Sequence, residues 1–326
     1  MTRSALMVFA LASATFSQQA LAQSPQEITA IDALRTQDVR LAAIADQMLS
    51  ANDALCRDHM PITGMILHSR DQYGGADTGN AFAGGDLAVS TTVPGSPAAE
   101  VLRDNDAIIA IGSELVADLE PEEDAPLRDA GFDALARQPA DAPVNLRIAR
   151  DGETMQISVP GSSGCRALVE IRARNNLAAR SNGRVIQVNY GLAEDADDEQ
   201  LAIIFAHEMA HLVLEHRRRL SSAGVDKGFF GEFGRNQKYN RQVEVEADRM
   251  SVHLLANAGY DPAIAPAFWR SELGGRLGGG LLKISATYPP PESRAQIMER
   301  EIADYLGAGA APSWPGHMLP RRDEEF

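Results

Sequence analysis

The chain has 326 residues, 44% of them hydrophobic, and a formal net charge of −15 at pH 7. That length suits two compact domains, or one large domain carrying an insertion, around a real core. The acidic balance argues against nucleic acid or an anionic membrane surface as a partner.

The N-terminus reads "MTRSALMVFALASATFSQQALAQS". Arg3 supplies a positive end, an apolar run extends from Ala5 to about Phe16, and Ala20-Leu21-Ala22 puts small residues where a signal peptidase reads. A secretory signal over residues 1–22 is expected, cleaved after Ala22. The run is too short for a spanning anchor, and no later segment has the apolar length a span needs. No cysteine follows the cleavage point to take a lipid, so the mature chain is expected to be exported, with the bacterial periplasm as its compartment. Cys56 and Cys165 are the two cysteines. An even pair in an exported chain suggests one disulfide; the alternative is two buried thiols.

Residues 27–55 carry Ile28, Ile31, Leu34, Val39, Leu41, Ile44 and Leu49 at helical spacing. They predict one long helix, or two broken near Thr36. "PITGMILHSR" predicts a short strand, and the Gly-rich stretch 71–86 reads as a boundary. Over 86–112 a strand, a Pro-Gly turn, a small helix and a second strand follow in quick order. "PLRDAGFDALARQP" predicts a helix, and "PVNLRIARDGETMQISVP" a hairpin turning at Asp151-Gly152. This order resembles a bacterial PDZ domain, through Val93 to Ala99, Leu102-Arg103, Asp106 and Ile108 to Gly112, over about residues 78–160. Asn105 stands where such domains usually carry Gly. The resemblance implies a peptide groove between the strand near Leu87–Thr91 and the helix near Leu127–Ala136, where an extended peptide adds as a strand.

From Cys165 the pattern changes. "CRALVEIRARNNLAARSNGRVIQVNYGL" predicts two strands around a turn at Asn182-Gly183. "DDEQLAIIFAHEMAHLVLEHRRRL" predicts one strong helix, acidic in its first turn and basic in its last, as the helix dipole prefers. "RQVEVEADRMSVHLLANAG" predicts a second helix ended by Gly259. Helical pattern continues to about Leu306, and the Ala-, Pro- and charge-rich end reads as loose.

The helix over 197–220 holds His207, Glu208 and His211. Residues four apart share a helix face, so both imidazoles can reach one ion. Zinc takes neutral imidazole nitrogen, and Glu208, one step round, can take a proton from an attacking water. A catalytic zinc needs a third protein ligand and an open position. One large class continues with Gly and His three and six residues after the second histidine; here those positions are Leu214 and Arg217, so that class is excluded. The other solution is a carboxylate from a later helix. In "VEVEAD", Glu244 and Asp248 share a face while Glu246 points roughly 160° away. Glu244 is therefore the expected third ligand of one Zn²⁺ per chain. Asp248 is expected to hydrogen-bond the far nitrogen of a ligand histidine.

These motifs resemble the zinc metallopeptidase family that includes the CAAX prenyl protease, HtpX and BepA. "DDEQLAIIFAHEMAH" is similar to its first motif, "VEVEADRMSVHLLANAGYDP" to its second, and "NNLAARSNGRVIQVNYGL" to the strand pair before the metal helix. The resemblance covers about 165–300 and implies that Val185–Tyr190 is the edge of the cleft along which an extended substrate lies. It also implies that a water activated by Glu208 attacks a carbonyl polarised by zinc. The family often has a late His-Pro step followed by arginine. In "ATYPPPESR" Tyr288 stands in the histidine's place, as a candidate oxyanion donor, and Arg294 matches the arginine.

The expected fold class is therefore α+β, a zincin-like metallopeptidase domain with its HExxH helix and a later glutamate-bearing helix, plus a small β-rich PDZ-like domain. The expected units are a signal peptide (1–22), an N-terminal helical part of the peptidase domain (23–75), the PDZ-like domain (76–160), the catalytic domain (161–308) and a flexible tail (309–326). The expected function is an exported zinc endopeptidase acting on polypeptide substrates captured by the PDZ-like groove, in envelope quality control; the rival is a peptide-binding chaperone or adaptor. His216, five after His211, reads as off the ligand face and structural; His59, His68, His253 and His317 read as lone surface or core residues. Arg217 to Arg219 read as a solvated helix end, and "FFGEFG" as a lid or a hydrophobic plug.

Overall fold

The computed structural model describes residues 30–75, 78–123, 125–225, 235–278, 289–307 and 312–326. The expected signal segment 1–22, the "FFGEFG" stretch and Tyr288 lie outside the described residues.

Helix α1 (Ala30–Ala51) is unbroken through Thr36, whose hydroxyl donates to the Asp32 carbonyl at 2.9 Å. Strands β1 (His59–Ile62), β2 (Met65–Ser69) and β3 (Leu87–Thr92) follow, then α2 (Pro97–Val101), β4 (Ala107–Ile111) and β5 (Glu114–Leu115). Helix α3 (Leu127–Ala136) precedes a hairpin of β6 (Val144–Arg150) and β7 (Glu153–Val159). Strands β8 (Ser162–Cys165), β9 (Leu168–Arg172), β10 (Ala179–Ser181) and β11 (Val185–Asn189) complete the β structure. Helices α4 (Tyr190–Asp195), α5 (Asp198–Val213), α6 (His216–Ser222), α7 (Arg235–Asn257), α8 (Ile264–Arg270), α9 (Glu272–Gly278) and α10 (Pro291–Glu301) make up most of the rest.

β1 and β8 pair antiparallel, from His59 opposite Cys165 to Ile62 opposite Ser162. They form the stem through which the chain enters and leaves a six-stranded antiparallel sheet ordered β2-β3-β4-β6-β7, with β5 on β4. The Cys56–Cys165 disulfide closes the stem at its base, with Cα atoms 5.5 Å apart. The Asp151-Gly152 turn joins β6 to β7, both residues at positive φ as a two-residue hairpin requires. Two expectations shift here. The sheet begins at Met65, before residue 76. The Leu87–Thr91 strand is also interior, paired with β2 on one side and β4 on the other. The open edge beside α3 is β2, because the segment before the Gly-rich stretch folds back onto β3.

The third sheet runs β10-β11-β9, with β10/β11 antiparallel through the Asn182-Gly183 turn and β11/β9 parallel. The strand expected to be the cleft edge, Val185–Tyr190, is instead central and ends at Asn189. β10 is the edge lying against α5. Helix α1 packs on β9 and α5, so the N-terminal helix belongs to the same core as the later half of the chain. A cleft of about 910 Å³ separates β2 and α3 from α1 and β9. Ion pairs bridge it: Arg184 Nη1 lies 2.5 Å from Asp133 on α3, and Arg128 on α3 pairs with Glu170 on β9.

Helix α5 opens with a capping box, the Asp197 side chain accepting from Gln200 N and the Gln200 side chain from Asp197 N. Leu201 to Ala206, Met209, Ala210 and Val213 are buried, so the helix runs through the core with α7 across it. The single helix expected through Leu220 breaks. Glu215 adopts a left-handed φ of 51°, and α6 restarts at His216. The C-terminal segment is packed rather than loose over 312–326. Met318 and Leu319 are buried, Arg57 pairs with Asp323 at 2.6 Å, and Arg321 reaches Glu246 at 3.1 Å. Among the described residues no helix is long and apolar enough to cross a membrane.

Candidate metal and catalytic site

The crossing of α5 and α7 brings His207, His211 and Glu244 to one point. Their donor atoms lie within 4.8 Å of one another. His207 Nε2 is 3.3 Å from His211 Nε2 and 3.3 Å from Glu244 Oε2, and His211 Nε2 is 3.7 Å from Glu244 Oε1. Burial alone would raise the Glu244 carboxyl. The hydrogen bond from His207, with the charges of His211, His207 and Arg294, instead holds it well below the usual carboxylate range. Burial pushes the His211 imidazole down, toward its neutral form.

The far nitrogens are each held. His207 Nδ1 lies 3.2 Å from Asp248 Oδ1 and 3.1 Å from Arg294 Nη2. Asp248 is fully buried, and Arg294 from α10 grips it with Nε 2.8 Å from Oδ2 and Nη2 on Oδ1. The Arg294 guanidinium in turn lies 3.5 Å over the Trp269 ring. On the other side, His211 Nδ1 lies 2.9 Å from His216 Nδ1, and His216 Nε2 lies 3.2 Å from Glu246 Oε2. Glu246 also accepts from Arg219 at 2.6 Å and from Gln242 at 2.9 Å. Burial would raise Glu246, but these donors hold it at about 2. Such outer partners fix the tautomer and ring plane of a metal-ligating histidine.

The donor set fits a zinc-type ion: two imidazoles, one ionised carboxylate, and a hydrogen-bonded partner behind each imidazole. Glu208 follows His207 on α5, and its charge reaches Arg294.

His216, Glu246 and Arg219 are the residues that sequence reasoning missed. His216, expected off the ligand face, instead meets His211, and Arg219 is no solvated helix end: it is 3% exposed, lies under the Phe326 ring at 4.3 Å, and pairs with Glu246. His59 pairs with Asp53 at 2.6 Å, and His68 meets the Tyr73 hydroxyl at 2.9 Å, both in other parts of the fold.

An HExxH helix crossed by a glutamate-bearing helix defines a class, the metalloendopeptidases whose third donor comes from a separate helix. Residues 167–230 match the model of peptidase family M48. The match spans β9 to α6; Glu244, Asp248 and Arg294 fall beyond it.

Similar proteins carry the same class of description. A mitochondrial metalloendopeptidase OMA1 of Arabidopsis thaliana is 26% identical over 36% of this chain and 27% of its own length. The mitochondrial metalloendopeptidase OMA1 of Bos taurus is 28% identical over 38% of this chain and 30% of its own. A Vibrio cholerae protein described as a beta-barrel assembly-enhancing protease is 26% identical over 47% of this chain and 38% of its own. The chain thus spans between about a quarter and two-fifths of the length of these curated relatives.

Proposed function

We propose that this chain is an exported zinc endopeptidase of envelope protein quality control, with His207, His211 and Glu244 as metal ligands and Glu208 as general base. The convergence of those three donors within 4.8 Å carries the reading. Zinc, when bound, supplies the Lewis acidity that polarises the scissile carbonyl. Glu208 takes the proton of the attacking water and returns it to the leaving amine. Asp248 and His216 hold the two imidazoles in the tautomer that leaves Nε2 free. Arg294 holds Asp248 ionised, and Tyr288 is the candidate donor to the tetrahedral oxyanion. The likeness to the Vibrio cholerae protease and the signal-like N-terminus support a periplasmic setting.

The six-stranded sheet with α3 is read as the PDZ-like unit. Its groove runs between the edge strand β2 and α3, and is lined on its other side by α1 and β9. Because Ile62 and Ser162 face each other in the stem, residues 63–161 can be replaced by a short linker. That deletion is expected to weaken peptide affinity and leave zinc content intact; loss of both would make the unit structural.

The deciding experiment is cleavage of unfolded casein by the mature chain, by Glu208→Gln and by the chelated protein. Glu208→Gln should retain zinc and lose roughly 10²- to 10⁴-fold in rate. Equal cleavage by all three would remove the mechanism. Casein binding with no turnover in any of them would favour the chaperone reading.

A further inference from the structure

A second cluster of donors lies apart from the first. His253 on α7, Glu301 at the end of α10 and His317 in the C-terminal segment offer donor atoms that all fall within 4.8 Å of one another. His253 Nε2 is 3.0 Å and His317 Nε2 2.6 Å from the same oxygen, Glu301 Oε1. His253 is 1% and Glu301 3% exposed.

We propose that His253, Glu301 and His317 form a second, structural metal site for a divalent zinc-type cation, clamping the C-terminal segment to α7 and α10. Two imidazoles and one carboxylate are a donor set that such cations accept.

The surroundings are those of a built site. His253 Nδ1 lies 2.6 Å from Ser313 Oγ, so the ring can give its Nδ1 proton to the hydroxyl and keep Nε2 for an ion. The His317 ring lies flat on Tyr305, centroids 3.7 Å apart at 9°, which fixes its plane. Arg249 Nε holds Glu301 Oε2 at 2.6 Å, leaving Oε1 turned to the two histidines. Burial alone would raise the Glu301 carboxyl, but the bonds from His253, Arg249 and His317 hold it at about 2, ionised at any working pH. A cavity of about 160 Å³ borders His253, His317, Ser313 and Trp314, with room for water in a fourth position. Without an ion, both Nε2 protons point at the one oxygen Glu301 Oε1; a divalent ion takes the place of both.

The consequence is mechanical. Three stretches of chain meet at this point. The same C-terminal segment sends Arg321 to Glu246 and Phe326 to Arg219, behind the first site.

The test is zinc stoichiometry on the full mature chain by mass spectrometry after dialysis against a defined free zinc concentration. Wild type should hold two equivalents. His317→Gln should hold one and keep caseinolytic activity, and His211→Gln should also hold one. In His211→Gln, added zinc should still raise the melting temperature. That rise should vanish when His317→Gln is added, because an ion that binds only the native state stabilises it by mass action. One equivalent in wild type, unchanged in His317→Gln and lost in His211→Gln, would overturn the proposal and leave the first site standing. Should His317→Gln fail to fold by circular dichroism, Glu301→Gln replaces it. That variant keeps the side-chain shape and must lower the second equivalent's affinity at least tenfold; an unchanged affinity is equally fatal.

Discussion

His211 and His216 face each other with their Nδ1 atoms 2.9 Å apart, and Glu246 closes the relay at 3.2 Å. The relay sets a polar partner behind the His211 ring, as Asp248 does behind His207. His216→Phe keeps most of the buried volume and removes the acceptor. Zinc affinity is expected to fall roughly 10- to 100-fold, the usual cost of losing such a partner. Turnover at saturating zinc should stay close to wild type. Competition against a chromophoric chelator measures this, and an unchanged affinity would show that His216 merely packs.

That relay also marks where legibility in the sequence ends. His207, Glu208 and His211 were readable because four residues are one helical turn and a bit, whatever the fold does next. Glu244 and Asp248 were readable for the same reason, once a second helix was recognised. His216 was not, because on a continued helix it would sit about 140° from the His211 face. Glu215 at a left-handed φ turns it back, and neither Gly nor Asn announces that bend. Sheet order was illegible in the same way. The stretch from Cys165 reads as two strands around Asn182-Gly183 where the structure has three, and which one is the edge depends on the parallel pairing of β11 with β9. His253, Glu301 and His317, separated by 48 and 16 residues, share no periodicity at all.

The disulfide ties the base of the β1/β8 stem across a separation of 109 residues. A loop of that length limits the unfolded chain enough to contribute roughly 4–5 kcal/mol in the chain-entropy view. The double variant Cys56→Ser/Cys165→Ser should therefore unfold at a markedly lower urea concentration than the oxidised chain. Tryptophan fluorescence and circular dichroism should report coincident transitions if the two halves unfold together. A difference under about 1 kcal/mol would mean that the paired stem already restrains the ends.

Asn105 holds a φ of 69° while its N–H donates to the Val89 carbonyl at 2.8 Å. Asn can hold this left-handed position, as Gly could, because its short polar side chain tolerates that region. Next to it, Asp106 accepts from Arg103 N at 2.8 Å and from Arg150 at 2.7 Å, so the loop cannot shift without breaking a buried ion pair. Asn105→Gly should be nearly neutral, and Asn105→Ala should cost about 1–2 kcal/mol. Equilibrium unfolding separates them; equal stability for Ala and Gly would contradict the strain assignment.

Asp38 and Asp46 line the cleft beside α1, and burial pushes both carboxyls up from 3.8 to about 7. Below 3.8 both folded and unfolded chains carry the protons, and the two residues cost nothing. As the pH rises toward 7 the unfolded chain ionises first, so their contribution to stability falls through that window and levels off above it. Asn mimics the protonated form, and Asp38→Asn keeps the oxygen that accepts from Ile171 N at 2.9 Å. Asp38→Asn and Asp46→Asn should match wild type near pH 4 and exceed it in urea midpoint at pH 8. A gap of the same size at both pH values would show that the two carboxyls titrate alike in the folded and unfolded chains.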